Sequence, residues 1–252
     1  MDARRLPARH GVLWLLAGFS LFRRHPPLMT ALTFGYLLTV IVANLIPQVG
    51  PFLLPLVLPT LTVVLANGCR AIERGQVFAG DTLWTGISAQ RSGLARLGGM
   101  HLVGSSLLVL GGVALGEPIN ISDGIDPEEA MALAGDLAVI LLLASPMLMA
   151  FWFAPLLTAW NGIGAGKSLF FSFIASWRNW RAFTMYGLVL ILTGAVLPGL
   201  ILLVAGMISP ALLAVLSIAL RMMLIFVLAP TMVASVYLSY RDVFEAPLTT
   251  DE

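Results

Sequence analysis

Past the middle of the chain, the seven residues Gly162-Ile163-Gly164-Ala165-Gly166-Lys167-Ser168 end as a phosphate-binding loop ends. That chemistry needs Gly-x4-Gly-Lys-Ser/Thr between a strand and a helix, so that amides ring the phosphates and the lysine reaches them. Here position 161 is Asn, a long apolar stretch precedes the motif, and no strand ending in Asp follows. These departures predict a helix stop and a flexible turn, with Lys167 among headgroups and no bound nucleotide.

Three ionisable residues lie inside apolar stretches: His101, Asp136 and Arg221. A charge at membrane depth is costly and marks a functional site unless a partner accounts for it. His101 is placed about a turn from an edge, where a neighbouring helix can satisfy it. Asp136 and Arg221 stand about 7.5 Å and about 15 Å into stretches that start from the same face. Side chains lean toward their helix N-terminus, and a long arginine snorkels, so the guanidinium can reach the carboxylate. A structural ion pair is expected rather than a transport relay, which needs more polar members.

The remaining candidates are thinner. The single cysteine, Cys69, excludes an intramolecular disulfide and a thiolate cluster, and is expected to be buried and inert. His10, His25 and His101 lack ligand spacing, so no metal site is predicted. Asn120-Ile121-Ser122 matches a glycosylation sequon by chance. The arginines gather at the ends of apolar stretches, not on a basic face interleaved with aromatics, which argues against nucleic acid. No nucleophile–base pair stands out, so neither catalytic residues nor a cofactor are expected.

The elements that position these residues are dictated by composition. Of 252 residues, 59% are hydrophobic and 11% charged, with a mean hydropathy of +0.94. Soluble domains carry about 45–50% apolar and about 25% charged residues, so the solvent of this chain is largely lipid. A hydrocarbon core about 30 Å thick needs about 20 apolar helical residues. Six stretches meet that length: 27–46, 51–69, 97–116, 131–160, 182–208 and 211–240. The last three exceed it and should tilt or protrude. Prolines inside them are tolerated where neighbours satisfy the freed carbonyls. The expectation is an all-α membrane protein, one domain over 1–252.

Thirteen of the 14 Lys and Arg residues fall on one side of these spans, and connections 47–50, 117–130 and 209–210 hold none. The positive-inside rule then puts both termini in the cytoplasm. Basic residues ahead of the apolar run 11–22 imitate a signal peptide. Arg23-Arg24-His25-Pro26 follows at once without a small-x-small cleavage site, so a retained interfacial helix is predicted.

That helix has counterparts. Asp81 is expected to cap a short one carrying Leu83, Trp84 and Ile87, and Ser168 another carrying Leu169, Phe170, Phe173, Ile174 and Trp177. The second span of each pair then carries a proline, at Pro59, Pro155 and Pro230. The chain reads as three units of interfacial helix, span, hairpin, span. Asp126-Pro127-Glu128-Glu129 is a helix start. Gly112 with Gly116, Ala195 with Gly199, and Gly187 with Gly194 are expected to let helices approach closely.

Leu6-Pro7-Ala8-Arg9-His10-Gly11 with Leu21-Phe22-Arg23-Arg24 resembles a family of uncharacterised proteobacterial inner-membrane proteins. So do Leu45-Ile46-Pro47-Gln48-Val49-Gly50-Pro51 and Asn67-Gly68-Cys69-Arg70-Ala71-Ile72-Glu73-Arg74-Gly75. The layout is loosely similar to the membrane domain of some glycerophosphodiester phosphodiesterases. This resemblance implies a bacterial inner-membrane location and assigns no activity. The reading is a non-enzymatic accessory, scaffold or assembly component, whose partners are the bilayer and another membrane protein or a second copy. The alternative is a small transporter or channel for a lipid or small solute, which a water-filled polar central cavity would favour.

Overall fold

The computed structural model describes residues 3–47, 49–76, 80–115 and 127–245, with the side chains of all but 51, 113–115, 127–134, 136 and 137. The elements are α1 (His10–Arg24), α2 (Pro26–Leu45), α3 (Gly50–Glu73), α4 (Gly80–Leu83), α5 (Arg91–Leu115), α6 (Pro127–Asn161), α7 (Ala165–Arg178), α8 (Trp180–Ile191), α9 (Leu197–Ile208), α10 (Pro210–Met223) and α11 (Ala229–Phe244). A π turn, Leu192–Val196, joins α8 to α9, and another, Leu224–Leu228, joins α10 to α11. The chain is all-α, without strands among the described residues. Six helices are long and apolar enough to cross a membrane: Pro26–Leu45, Phe52–Glu73, Arg91–Gly112, Ala138–Asn161, Trp180–Ile208 and Pro210–Phe244. All six expected spans are present.

Each internal proline removes an amide and leaves the carbonyl four residues back without its helical donor. The fold answers four of these losses. Ser145 Oγ donates to the Leu142 carbonyl that Pro146 frees, at 2.8 Å. His101 on α5 meets the Pro55 carbonyl that Pro59 frees, at 3.2 Å. Before Pro198 and Pro230 the helix widens instead: the amides of Leu197 and Ala229 bond back to Leu192 and Leu224. This i→i+5 pattern defines a π turn and makes room for the ring.

The three proline-bearing second spans, α3, α6 and α11, pack on one another at the centre. The first spans lie around them. Each short helix packs on the second span of the preceding unit: α4 on α3, α7 on α6, and α1 on α11, with α1 also on α8. The order is cyclic, so the last unit is clasped by the first. It matches the three-unit pattern of the sequence. The core lies at the end of the bundle that carries the basic residues, with Trp14, Phe153, Leu157, Tyr237 and Tyr240 almost fully buried. At the other end α9 and α10 form a hairpin, and no part of the most apolar stretch of Pro210–Phe244 is buried.

Several local expectations are corrected. The Asp81 segment is a single helical turn, Gly80–Leu83, with Asp81 inside its first turn. Trp84 and Ile87 follow in turns, held by Asn67 rather than by a helix ladder. Ser168 is no cap: α7 starts at Ala165 with Gly164 as its N-cap, and Ser168 is buried inside the helix. α7 turns Ser168, Ser172 and Ser176 inward and leaves Phe170, Phe171 and Trp177 exposed, so its apolar stripe faces outward. α1 belongs to the core as much as to the interface, because a Cβ on Gly11 would stand 2.3 Å from the Ala182 carbonyl oxygen and one on Gly18 2.6 Å from that of Thr231. Among the described residues, the expected small-residue positions make no close backbone contact within the chain. Added Cβ atoms at Gly112, Gly187 and Gly199 meet nothing within 4 Å, and one at Gly194 meets only a flexible leucine. Close backbone approach falls instead to Gly11, Gly18, Gly86 and Gly98. The Asp126 cap and Gly116 lie outside the described residues.

Candidate functional site

At the basic end, α11 presents Tyr237, Tyr240 and Arg241 at the i, i+3, i+4 spacing of one helix face. Glu73, the last residue of α3, accepts from both the Arg241 guanidinium and the Tyr237 hydroxyl. Arg241 also binds Asp242 Oδ1 at 2.8 Å, and Asp242 Oδ2 accepts from the buried Trp14 indole at 3.1 Å. One turn earlier on α3, Arg70 lies over the Trp160 ring at 4.7 Å and pairs with Glu245 at 3.6 Å. Trp160 donates to Asn67 Oδ1 at 2.9 Å, and Tyr240 to Asn161 Oδ1 at 2.6 Å.

Two buried asparagines complete this network. Asn67 donates to the carbonyls of Leu83 and Thr85, fixing the loop after α4. Asn179 receives the Leu6 amide at 2.8 Å and donates to the Arg4 carbonyl at 2.9 Å, fixing the chain ahead of α1. An amide side chain suits both places, since it offers donors and an acceptor at once. On α6 and α7, Thr158 bonds Ser168 at 2.8 Å, and Ser172 bridges the Met149 carbonyl and the Phe153 amide. Chemically, a carboxylate held by an arginine and a tyrosine resembles an acid–base group. Every one of its ligands, however, is another part of the chain.

Above this clasp, α2, α3, α5, α6 and α11 enclose a cavity of about 480 Å³. Pro59, Ala66, Met147, Phe151, Pro155 and Val233 are among its predominantly apolar walls. Tyr36, Thr62, His101, Trp152 and Tyr237 bring the polar atoms. Thr62, Trp152 and Tyr237 spend theirs on Leu58, Ser239 and Glu73. On α5, which begins at Arg91, His101 lies five residues past the exposed Arg96, about 7.5 Å at 1.5 Å per residue. Its ring packs on Phe151 with centroids 4.6 Å apart.

The other sequence candidates do not converge here. The side chain of Asp136 lies outside the described ones. Arg221 is exposed on α10, a helix packed chiefly on α9. Cys69 is fully buried, its thiol 3.8 Å from the Met29 sulfur. Lys167 is exposed, while the Ser168 hydroxyl is occupied by Thr158 and the Ile163 carbonyl. No group of three or more His, Cys, Asp or Glu is placed to hold a metal among the described residues. Sequence reasoning missed Asn67, Glu73, Asn179, Tyr237 and Arg241 as a set. A signal existed on α3, where Asn67, Arg70 and Glu73 recur at spacing three within an apolar helix.

A helical bundle with six apolar spans, and its polar network gathered at one end, is a polytopic integral membrane protein. The chain is 35% identical over 205 residues to a curated probable inner membrane protein of Burkholderia thailandensis, with 75% of each chain covered, and it belongs to that protein's family. No family model matches the chain. No solved structure matches it either.

Proposed function

We propose that this is a non-enzymatic protein of the bacterial inner membrane, with both termini in the cytoplasm, acting as an accessory, scaffold or assembly component for other membrane proteins. The cyclic clasp is the observation that carries this reading. It knits three hairpins into one body and consumes the groups that could do chemistry: Glu73 on Arg241 and Tyr237, Asp242 on Trp14, Asn67 and Asn179 on backbone. A transporter that rocks one repeat against another must break such a ring at each cycle. Around it, exposed Trp84, Trp177 and Trp180 and flanking arginines form an aromatic and basic belt suited to headgroups. The basic side is accordingly the cytoplasmic one. In-membrane cross-linking from Gly80 and Gly164, followed by purification, should capture the same partner reproducibly. Recovery of the chain alone, in repeated preparations from native membranes, overturns the reading.

A second reading, a transporter or channel for a lipid or small solute, draws support from the cavity and the two π-turn spans, since broken helices frame transport sites in other folds. The apolar walls favour an apolar cargo over a hydrated one. Vesicles containing the protein should not speed the equilibration of polar solutes; if they do, this ranking reverses. The glycine-rich turn before α7 is read as structural, and ATP or GTP binding lost in Lys167→Ala contradicts it.

A further inference from the structure

Two polar atoms of the central cavity have no hydrogen-bond partner among the described residues, the Tyr36 hydroxyl and His101 Nε2, and the fold sets the character of the second. The Pro55 carbonyl can only accept, so the His101 Nδ1 facing it at 3.2 Å must carry the proton. In neutral imidazole this leaves Nε2 as a bare acceptor. Nε2 makes no hydrogen bond among the described residues, and His101 lines the cavity. This acceptor exists because Pro59 withdraws its amide from the Pro55 carbonyl, which then orients the ring.

The surroundings say what would meet that acceptor. About 480 Å³ falls within the usual range of ligand sites, about 300–1,000 Å³. Along α6 the lining runs from Ala144 to Pro155, about 16 Å at 1.5 Å per residue, so the space is elongated along the bundle. Leu148 and Met232, both in the lining, are exposed, so the cavity is open at mid-span where lipid chains lie. Charged headgroups are excluded at this depth by the cost of desolvation. An alkane fits the walls but leaves Nε2 unsatisfied; an apolar chain with one O–H satisfies both.

We propose that this cavity binds a neutral lipid, an apolar chain bearing a single hydroxyl that donates to His101 Nε2. This site stands apart from the scaffold reading and does not depend on it. Both a bilayer lipid such as a diacylglycerol and a free long-chain alcohol carry this chemistry, and the test separates them. The full-length protein is placed in nanodiscs of phosphatidylethanolamine and phosphatidylglycerol and photolabelled with a diazirine analogue of hexadecanol. Saturable labelling of the α6 peptide containing Met147 and Phe151 is expected. Unlabelled hexadecanol should compete about tenfold better than hexadecane, the worth of one hydrogen bond. Dioleoylglycerol competing as well as hexadecanol identifies the bilayer lipid as the source; competition by hexadecanol alone identifies the free alcohol. His101→Phe keeps the aromatic contact with Phe151 and should abolish the preference over hexadecane. Val233→Trp should remove labelling by filling the cavity while the protein stays monodisperse. Where His101→Phe fails to fold, the alcohol–alkane comparison on the wild type decides. Equal competition by hexadecane, or labelling spread over α9 and α10 and untouched by Val233→Trp, overturns the proposal.

Discussion

Glycine marks where the helices of this protein truly meet, and composition alone misplaces it. Gly11 and Gly18 sit seven residues apart on α1 and touch the backbones of α8 and α11, whereas Gly99 and Gly187 face open space. The same substitution therefore has opposite signs. Gly18→Ala pushes a methyl group against the Thr231 carbonyl and should cost about 1–3 kcal/mol of overpacking. Gly99→Ala or Gly187→Ala, inside helices with room for the methyl, should be neutral or stabilise by up to about 1 kcal/mol. Thermal denaturation in one detergent compares them directly, and equal effects at Gly18 and Gly187 would refute the contact assignment. Glu73 gives a second residue-scale test. Glu73→Ala strands the Tyr237 hydroxyl and leaves the Arg241 guanidinium with Asp242 alone, and should cost about 1–3 kcal/mol. Arg241→Ala should cost less, because its head is partly exposed and Glu73 keeps Tyr237. The double variant should lose less than the sum, which a mutant cycle measures.

Among elements, the short helices act as straps. α1 was legible as an apolar run flanked by arginines, but not as a helix that inserts between α8 and α11. That role depends on the bare backbones at Gly11 and Gly18. α7 was legible by its aromatic stripe, which faces outward. Its inward serines satisfy α6 at Met149 and Phe153, a partnership between segments that no periodicity encodes. Asn67 and Asn179 hold two straps by single side chains. Asn179→Ala should free the Leu6 amide, seen as loss of hydrogen-exchange protection at Leu6 while amides within α6 keep theirs. Protection at Leu6 unchanged in that variant contradicts the strap. The prolines belong to this scale as well. From sequence they are six possible breaks; in the structure four of them, Pro59, Pro146, Pro198 and Pro230, are absorbed by a histidine, a serine or a π turn.

For the whole molecule, orientation and clasp make separate predictions. Reporter fusions at Ser122 should read the exterior, and fusions at Gly80, Gly164 and Asp251 the cytoplasm. A cytoplasmic signal at Ser122 is incompatible with six spans and both ends inside. The Asp136–Arg221 pair is a further proposal. Its double-mutant cycle should show coupling if the two charges share one partner at membrane depth, and additive losses dispose of it.

The number and length of the spans followed from the sequence alone, and their direction is what the sidedness of arginine predicts. Hydrophobic length against a fixed bilayer thickness, and the sidedness of arginine, are properties that each segment carries by itself. The three-unit grammar was visible for the same reason, as a local pattern written three times. What the tertiary structure decided is which copy holds which: that α1 closes on α11, that Glu73 meets Arg241 across 168 positions, and that Pro59 aims His101 into a cavity. These depend on helix rotation and neighbour choice. In lipid such choices are not driven by burying apolar surface, since both faces are equally at ease there; they turn on a few glycines, prolines and hydrogen bonds whose partners lie far away in the chain.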